Sequence, residues 1–172
     1  MQFSQSFQLH FRYLHTLAIT ENYIIVPETS YVRNICMRKT PDSPGYKYVD
    51  YDENLNGRFI IVNKTDPEDF DVIEADHHFF ITHLFNAFED DDGLIHVDVL
   101  KYENADIYTK NSLVLNAIFE ENDLSNEITR YSIDLENEQV NSEVLVEQED
   151  GYVEFSNINP DKYGQKYRYV RF

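Results

Sequence analysis

The fold class is indicated by residues 79–102, which read FFITHLFNAFEDDDGLIHVDVLKY. Its two halves, Phe79–Phe88 and Leu94–Tyr102, are rich in aromatic and β-branched residues, and their apolar residues recur with a period closer to two than to 3.6. Between them lies Asp92-Gly93, a residue pair that favours the tight turn of a hairpin. This stretch therefore predicts two antiparallel strands joined by a hairpin.

The same pattern continues on both sides of this hairpin. Further strands are predicted at Tyr13–Ile19, Tyr23–Val26, Arg58–Asn63, Ile128–Leu135, Glu143–Glu147 and Lys166–Arg171. Further turns are predicted at Glu21-Asn22 and Asp150-Gly151, and loops at Arg38–Asn56, Glu103–Asn111 and Glu120–Glu127. Short strands at this spacing predict an all-β sandwich, barrel or propeller. Since no shift in composition marks a boundary, we expect one domain over residues 1–172.

The composition excludes several classes of partner. The 172 residues include 14 Lys and Arg against 32 Asp and Glu, which gives a net charge of −18. An acidic surface repels phosphate, so we expect no nucleic acid partner and no docking on anionic membranes by charge. The single cysteine, Cys36, permits no internal disulfide and favours a reducing compartment. With no signal-like start and no apolar stretch near ~20 residues, the predicted location is cytoplasmic.

Histidines are the most informative titratable residues. The chain has six of them: His10, His15, His77, His78, His83 and His96. At a strand rise of ~3.3 Å per residue, His77 and His83 would lie roughly 20 Å apart, whereas His10 and His15 would point to opposite faces. Any metal site must therefore gather its ligands from different strands. His15 and His83 each lie within a predicted strand among bulky apolar neighbours, and such a histidine is more often a hydrogen-bonded core residue than a ligand.

Other catalytic classes lack a motif in this sequence. The acidic run Glu89–Asp92 lacks the ligand alternation of a calcium loop and is interpreted as a charged hairpin tip. There is no Gly-rich phosphate loop, no serine elbow and no Cys-His pair in a recognisable context. The sequence therefore gives no support to a nucleotide-binding or hydrolytic function.

Five motifs carry a family resemblance. They are YLHTLAITENY at Tyr13–Tyr23, HLFNAFED at His83–Asp90 with Gly93, the pair Arg130-Tyr131, EFSNINP at Glu154–Pro160 and YGQKYRY at Tyr163–Tyr169. In this order they resemble the motifs of the carotenoid cleavage oxygenases. The last motif is similar to the animal members, which include the β-carotene oxygenases and the retinoid isomerase of the retinal pigment epithelium.

The resemblance implies a fold and a chemistry. The family fold is a seven-bladed β-propeller in which four histidines hold one Fe(2+) on the axis, and the family reaction inserts O₂ across a double bond of a carotenoid or apocarotenoid. By resemblance, His15 and His83 are two of the four metal ligands, and Glu154 accepts the outward ring N–H of a ligand histidine. No catalytic residue beyond the metal ligands is implied. The length predicts a partial propeller with about half of the blades, as a fragment that lacks two of the four ligands.

The sequence departs from the family pattern at three places that concern the expected substrate and the expected association with membranes. Thr82 precedes the second ligand where animal members commonly have phenylalanine, and Ser156 replaces a proline. Val32–Thr40 should carry the apolar insertion that grips membranes, but it contains three cations, so membrane association is not predicted.

A non-catalytic β module that pairs with a partner through open sheet edges is the alternative function. An unrelated acidic β-sandwich is the third interpretation.

Overall fold

The computed structural model of the chain describes residues 12–33, 49–52, 54–102, 104–105, 126–146 and 157–171. These residues form ten strands: β1 (Ala18–Ile19), β2 (Tyr23–Glu28), β3 (Tyr31–Arg33), β4 (Val49–Tyr51), β5 (Arg58–Asn63), β6 (Phe70–Glu74), β7 (Phe80–Glu89), β8 (Ile95–Tyr102), β9 (Asn126–Asp134) and β10 (Gln139–Val146). A short 3₁₀ helix follows at Pro160–Lys162. The described residues are therefore all-β apart from this single turn, and none of their helices is long and apolar enough to span a membrane.

Two four-stranded antiparallel sheets make up most of the structure. The first has the order β1-β2-β5-β6 and the second has the order β7-β8-β9-β10, while β3 and β4 form a separate pair. The two sheets pack against each other so that β1 contacts β7 at one edge and β6 contacts β10 at the other. The strands at matching positions in the two sheets are thus neighbours.

An apolar core fills the space between the two sheets. Ile25, Phe59 and Ile61 contribute to it from the first sheet, and Val97 and Tyr131 contribute from the second. All five are at most 1% exposed, so this interface is dry. Burial of apolar surface of this kind is the main contribution that holds two sheets together.

Most predicted strands are confirmed. Arg58–Asn63 has the predicted bounds, and β2, β7, β8 and β9 begin and end within about two residues of their predictions, whereas β10 begins at Gln139. The hairpin turn between β7 and β8 is confirmed, with Gly93 at φ +83° and its N–H donating to Asp90 O. The Glu21-Asn22 turn joins β1 to β2 as predicted.

Several boundaries were wrong. Only Ala18–Ile19 of the predicted strand Tyr13–Ile19 is a strand, because in the preceding residues the backbone ladder is replaced by isolated bonds such as Tyr13 N–H to Tyr31 O. Lys166–Arg171 makes just one bridge, from Arg171 to Asn157. The strands β3, β4 and β6 were missed. The predicted turn at Asp150-Gly151 and most of the predicted polar loops lie outside the described residues.

Candidate metal centre

The structure brings His15 and His83 together. His15 precedes β1 and His83 lies in β7, and the centroids of their rings are 5.2 Å apart at an interplanar angle of 75°. The His15 side chain is exposed, whereas His83 is half-buried. The ring of Tyr13 stacks on His15 at 6.1 Å. Two imidazoles from different sheets therefore meet at the edge where β1 contacts β7.

Local irregularity of β7 aims His83 at this edge. The pairing of β7 with β8 shifts register between Ile81 and His83, and again between Leu84 and Asn86. Bulges of this kind bend a strand and redirect its side chains, and they are frequent next to functional sites. His83 thus lies on the short stretch between two such shifts.

One ring nitrogen of His15 has a fixed role. Nδ1 lies 2.6 Å from the backbone oxygen of Thr82. A carbonyl oxygen accepts only, so Nδ1 must carry the hydrogen and donate it, which leaves the lone pair of a neutral ring on Nε2. Metal-binding histidines commonly donate their second ring N–H to a carbonyl or carboxylate in this way. Nε2 is therefore the nitrogen of His15 that can bind a metal, and imidazole nitrogen suits a divalent transition metal.

Two other histidines have both ring nitrogens engaged in hydrogen bonds with side chains. His77 uses Nδ1 with Asp76 and Nε2 with the Tyr131 hydroxyl, at 2.7 and 3.1 Å. His96 uses Nδ1 with Ser132 and Nε2 with Asp90, at 2.9 and 2.7 Å. Within the described residues, no group of three or more His, Cys, Asp or Glu side chains could hold a metal. Glu154 and His10 lie outside the described residues.

Two motif residues, Asn86 and Arg130, belong to a second arrangement of polar side chains on the same sheet as His83. Asn86, Asp98 and Arg130 are direct cross-strand partners on β7, β8 and β9, and we call them the polar row. Asp98 is fully buried, and Arg130 donates to both of its carboxylate oxygens, at 2.7 and 2.8 Å. These bonds raise the pKa of Arg130, against the opposing effect of its burial.

The segment Asn157–Arg171, which we call the strap, crosses the polar row. The Tyr167 hydroxyl donates to Asp98 Oδ2 at 2.6 Å. Burial raises the pKa of Tyr167, and the negative charge of Asp98 raises it further. The Asn86 amide donates to the carbonyls of Lys162 and Gln165, at 3.2 and 2.8 Å, and its oxygen accepts from Gly164 N at 2.9 Å.

Sequence reasoning missed the role of this arrangement. The motif residues Asn86 and Glu89 carry a family resemblance in the sequence, and in the structure they also bind other motifs that are distant along the chain. Glu89, for example, accepts from the backbone and side-chain nitrogens of Asn22, at 2.9 and 2.7 Å. One signal was available: asparagine is depleted in strands, so Asn86 within an apolar strand indicates a special contact.

An open apolar groove of about 340 Å³ lies between β1, β7 and the strap. It is lined by Leu17, Ala18, Ile19, Leu84, Phe85, Asn86, Ala87, Tyr163 and Gly164. Leu17, Ala18 and Ile19 follow His15 in the chain, and the four residues Leu84–Ala87 follow His83. Tyr163 and Gly164 belong to the strap. The groove thus begins at Leu17, two residues after His15, and at Leu84, which follows His83.

Comparison with known proteins identifies the relatives of this chain. The family described as retinal pigment epithelial membrane protein (RPE65) matches residues 1–171. A search of curated protein sequences gave no match.

Solved structures share the fold at low sequence identity. Cobalt-substituted Synechocystis ACO superimposes with a TM-score of 0.71 at 23% identity over 93% of this chain and 32% of its own. An ACO/RPE65 chimera gives 0.73 at 22% identity, over 94% and 32%. A mutant of Synechocystis apocarotenoid oxygenase (ACO) gives 0.71 at 22% identity, over 93% and 32%. The chain thus spans about a third of the length of these relatives.

Proposed function

Because this chain belongs to the retinal pigment epithelial membrane protein family, we propose that it is part of an Fe(2+) oxygenase that cleaves a carotenoid or apocarotenoid. The observation that carries the proposal is the meeting of His15 and His83, with ring centroids 5.2 Å apart. Both histidines would hold the metal, with Nε2 as the ligand atom of His15. We place the protein in the cytoplasm, with Glu154 as acceptor of a ligand N–H.

The bound metal would supply open coordination positions at which O₂ and the polyene meet, so that O₂ adds across one double bond and two carbonyl products form. The residues of this chain contribute orientation. The Thr82 carbonyl fixes the tautomer of His15, and the neighbouring apolar groove offers a surface with which a hydrocarbon chain is compatible. No side chain here needs to act as an acid or base in this scheme.

The packing of the two sheets supports a propeller. Adjacent blades of a propeller stack face to face, with inner strand beside inner strand and outer beside outer. Here β1 contacts β7 and β6 contacts β10, and the two histidines belong to the β1/β7 edge. We therefore propose that the sheets are adjacent blades of a seven-bladed propeller, that β1 and β7 face its axis, and that residues 1–172 belong to one partial domain.

Metal binding tests this proposal directly. We expect Co(2+) alone, titrated into the chain and followed by calorimetry and visible absorption, to bind at one site. His15→Ala or His83→Ala should each weaken that binding more than about tenfold, because a lost ligand costs at least as much as a lost orienting partner. His78→Ala serves as the matched histidine control and should leave the affinity unchanged.

Two outcomes would contradict the metal centre. One is Co(2+) binding that does not depend on His15 or His83, and the other is no binding at all. Either result would favour the alternative function, a non-catalytic β module that acts by pairing at its sheet edges. A chain that binds the metal should then be tested for aldehyde products from an apocarotenoid with Fe(2+) and O₂, within a protein that supplies the remaining ligands.

A further inference from the structure

The strap and the polar row point to a positioning device for the histidine pair. We propose that Asn86 is a positioning residue, which holds His83 beside His15 by clamping the strap between β7 and β1. The inference deepens the proposed function and rests on it only where metal binding is concerned. The contacts themselves are independent of any metal.

The side-chain amide of Asn86 uses all of its hydrogen-bonding groups. Both hydrogens of Nδ2 are donated, to Lys162 O and Gln165 O, and Oδ1 accepts from Gly164 N. The residue is 3% exposed, so water cannot replace these partners. A rotation of this side chain would deprive Gly164 N and Gln165 O of their partner, whereas Lys162 O would keep its bond from Gln165 N. The amide and the strap therefore move together.

The strap also packs against the backbone at the end of β1. Gly164 has φ +76°, and a Cβ at this position would lie 3.4 Å from the backbone oxygen of Ile19. The strap is thus packed between the Asn86 side chain on one side and the backbone of Ile19 and Thr20 on the other. Asn86 lies three residues after His83, and Ile19 lies four residues after His15.

No ladder of backbone hydrogen bonds joins β1 to β7. β1 and β7 belong to different sheets, so no series of backbone hydrogen bonds sets how far one slides along the other. Among the described residues, the polar links at this boundary include the His15 bond to Thr82 O, the strap at Asn86, and the bonds of Glu89 with Asn22 and Thr20. Because the strap makes three hydrogen bonds to one side chain that is 3% exposed, we assign it the largest share in fixing the separation of the two rings.

The test compares Asn86→Asp with a matched amide. Asp keeps the size of the side chain and an acceptor for Gly164 N, but it places carboxylate oxygen against the carbonyls of Lys162 and Gln165. Asn137→Ala is the control, since its Nδ2 donates to Asp134 at 2.8 Å in the exposed turn that follows β9. Both chains should show wild-type circular dichroism before they are compared.

Histidine side-chain NMR gives a readout that loss of stability alone would not move. In the wild type and in Asn137→Ala we expect one His15 tautomer, with hydrogen on Nδ1, and an NOE between the rings of His15 and His83. In Asn86→Asp we expect a mixture of tautomers and loss of that NOE. Affinity for Co(2+) alone should fall at least tenfold. A folded Asn86→Asp chain that keeps the tautomer and the NOE overturns the inference.

A second variant tests the clamp if Asn86→Asp does not fold. Gly164→Ala acts from the β1 side, by adding a Cβ against Ile19 O at a position with positive φ. It should change the same two NMR signals, and an unchanged spectrum counts against the clamp. If the wild type binds no Co(2+) but the variants lose the NOE, the clamp stands and the metal proposal falls. If His15 and His83 bind Co(2+) while Asn86→Asp changes nothing, the clamp falls alone.

Discussion

At the scale of single residues, the strap is fastened by two side chains of contrasting chemistry. Asn86 holds it through a neutral amide, whereas Asp98 holds it through a buried carboxylate shared by Arg130 and Tyr167. A fully buried charge is tolerated only when it is paired and hydrogen-bonded, and here both oxygens of Asp98 are occupied. Loss of any one partner therefore leaves part of that charge uncompensated.

Tyr167→Phe tests this arrangement through pH. The raised pKa of Tyr167 means that its bond to Asp98 stabilises the fold fully below the ordinary tyrosine pKa of about 10, and that this stability is lost as pH rises above it. The variant should lower the free energy of unfolding by about 1.5 to 3 kcal/mol at neutral pH, the range for a hydrogen bond to a charged group. Urea denaturation should show this deficit shrinking above pH about 10. An equal deficit at all pH values would contradict the raised pKa.

The two candidate ligand histidines could be proposed from sequence, but the proposed clamp could not. His15 and His83 each lie within a recognisable motif, so their proximity needed no knowledge of the chain path. Asn86 and Glu89 have partners 67 to 79 residues away along the chain. Spacing rules describe neighbours within one strand or turn, and they carry no information about contacts between distant segments.

At the scale of elements, the hairpin between β7 and β8 is fixed by its own residues. Asp90 Oδ1 accepts from the backbone nitrogens of Asp92 and Leu94, and Oδ2 contacts His96. The hydrogen bond from His96 lowers the pKa of Asp90, and the bonds from the Leu94 and Asp92 amides lower it further. Because all these contacts are local, the turn was predictable from the Asp-Gly pair.

Asp90→Asn should weaken this hairpin in a pH-dependent way. A lowered pKa means that the stability contributed by the carboxylate is present above its ordinary pKa of about 3.9 and is lost as pH falls through the lower folded value. We expect wild type to exceed the variant in unfolding free energy at pH 7, and the gap to close below pH about 4. Asp71→Asn, on the exposed face of β6, is the control and should change little. A gap that widens in acid would show that Asp90 has the opposite shift.

The elements that were predicted wrongly depend on neighbours rather than on local pattern. Lys166–Arg171 alternates with period two, yet Tyr167 uses its side chain against the face of the second sheet and only Arg171 forms a bridge. β6 has acids among its apolar residues and was missed, because it pairs with β5 alone and is largely exposed. Alternation of apolar and polar residues indicates which face of a strand is buried, but it does not indicate whether a partner strand is present.

At the scale of the whole molecule, charge opposes the packing of the two sheets. The net charge of −18 produces repulsion that the compact state must overcome. Ion pairs within the described residues relieve little of it, since pairs such as Lys101 with Glu127 are partly exposed. The dry core between the sheets carries the stability against this repulsion.

Salt should therefore stabilise this protein. Raising NaCl to about 0.15 M shortens the Debye length to about 8 Å and screens the repulsion between carboxylates. We expect the melting temperature to rise by a few degrees, since about 1 kcal/mol corresponds to roughly 2–4 °C for a domain of this size. A non-electrolyte at equal osmolality is the control. A melting temperature that falls with salt would mean that ion pairs outweigh the net repulsion.

The position of the strap in the chain also sets an order for biosynthesis. The groups that bind Asn86 lie 76 to 79 residues further on, at Lys162, Gly164 and Gln165. At about 5–20 residues per second, a ribosome needs roughly 4–16 s to make that stretch. Throughout this interval β7 has been synthesised, but the backbone groups that bind the Asn86 side chain have not. On the proposed clamp, His15 and His83 consequently acquire their final alignment only after the strap has been synthesised, which follows the synthesis of the whole second sheet.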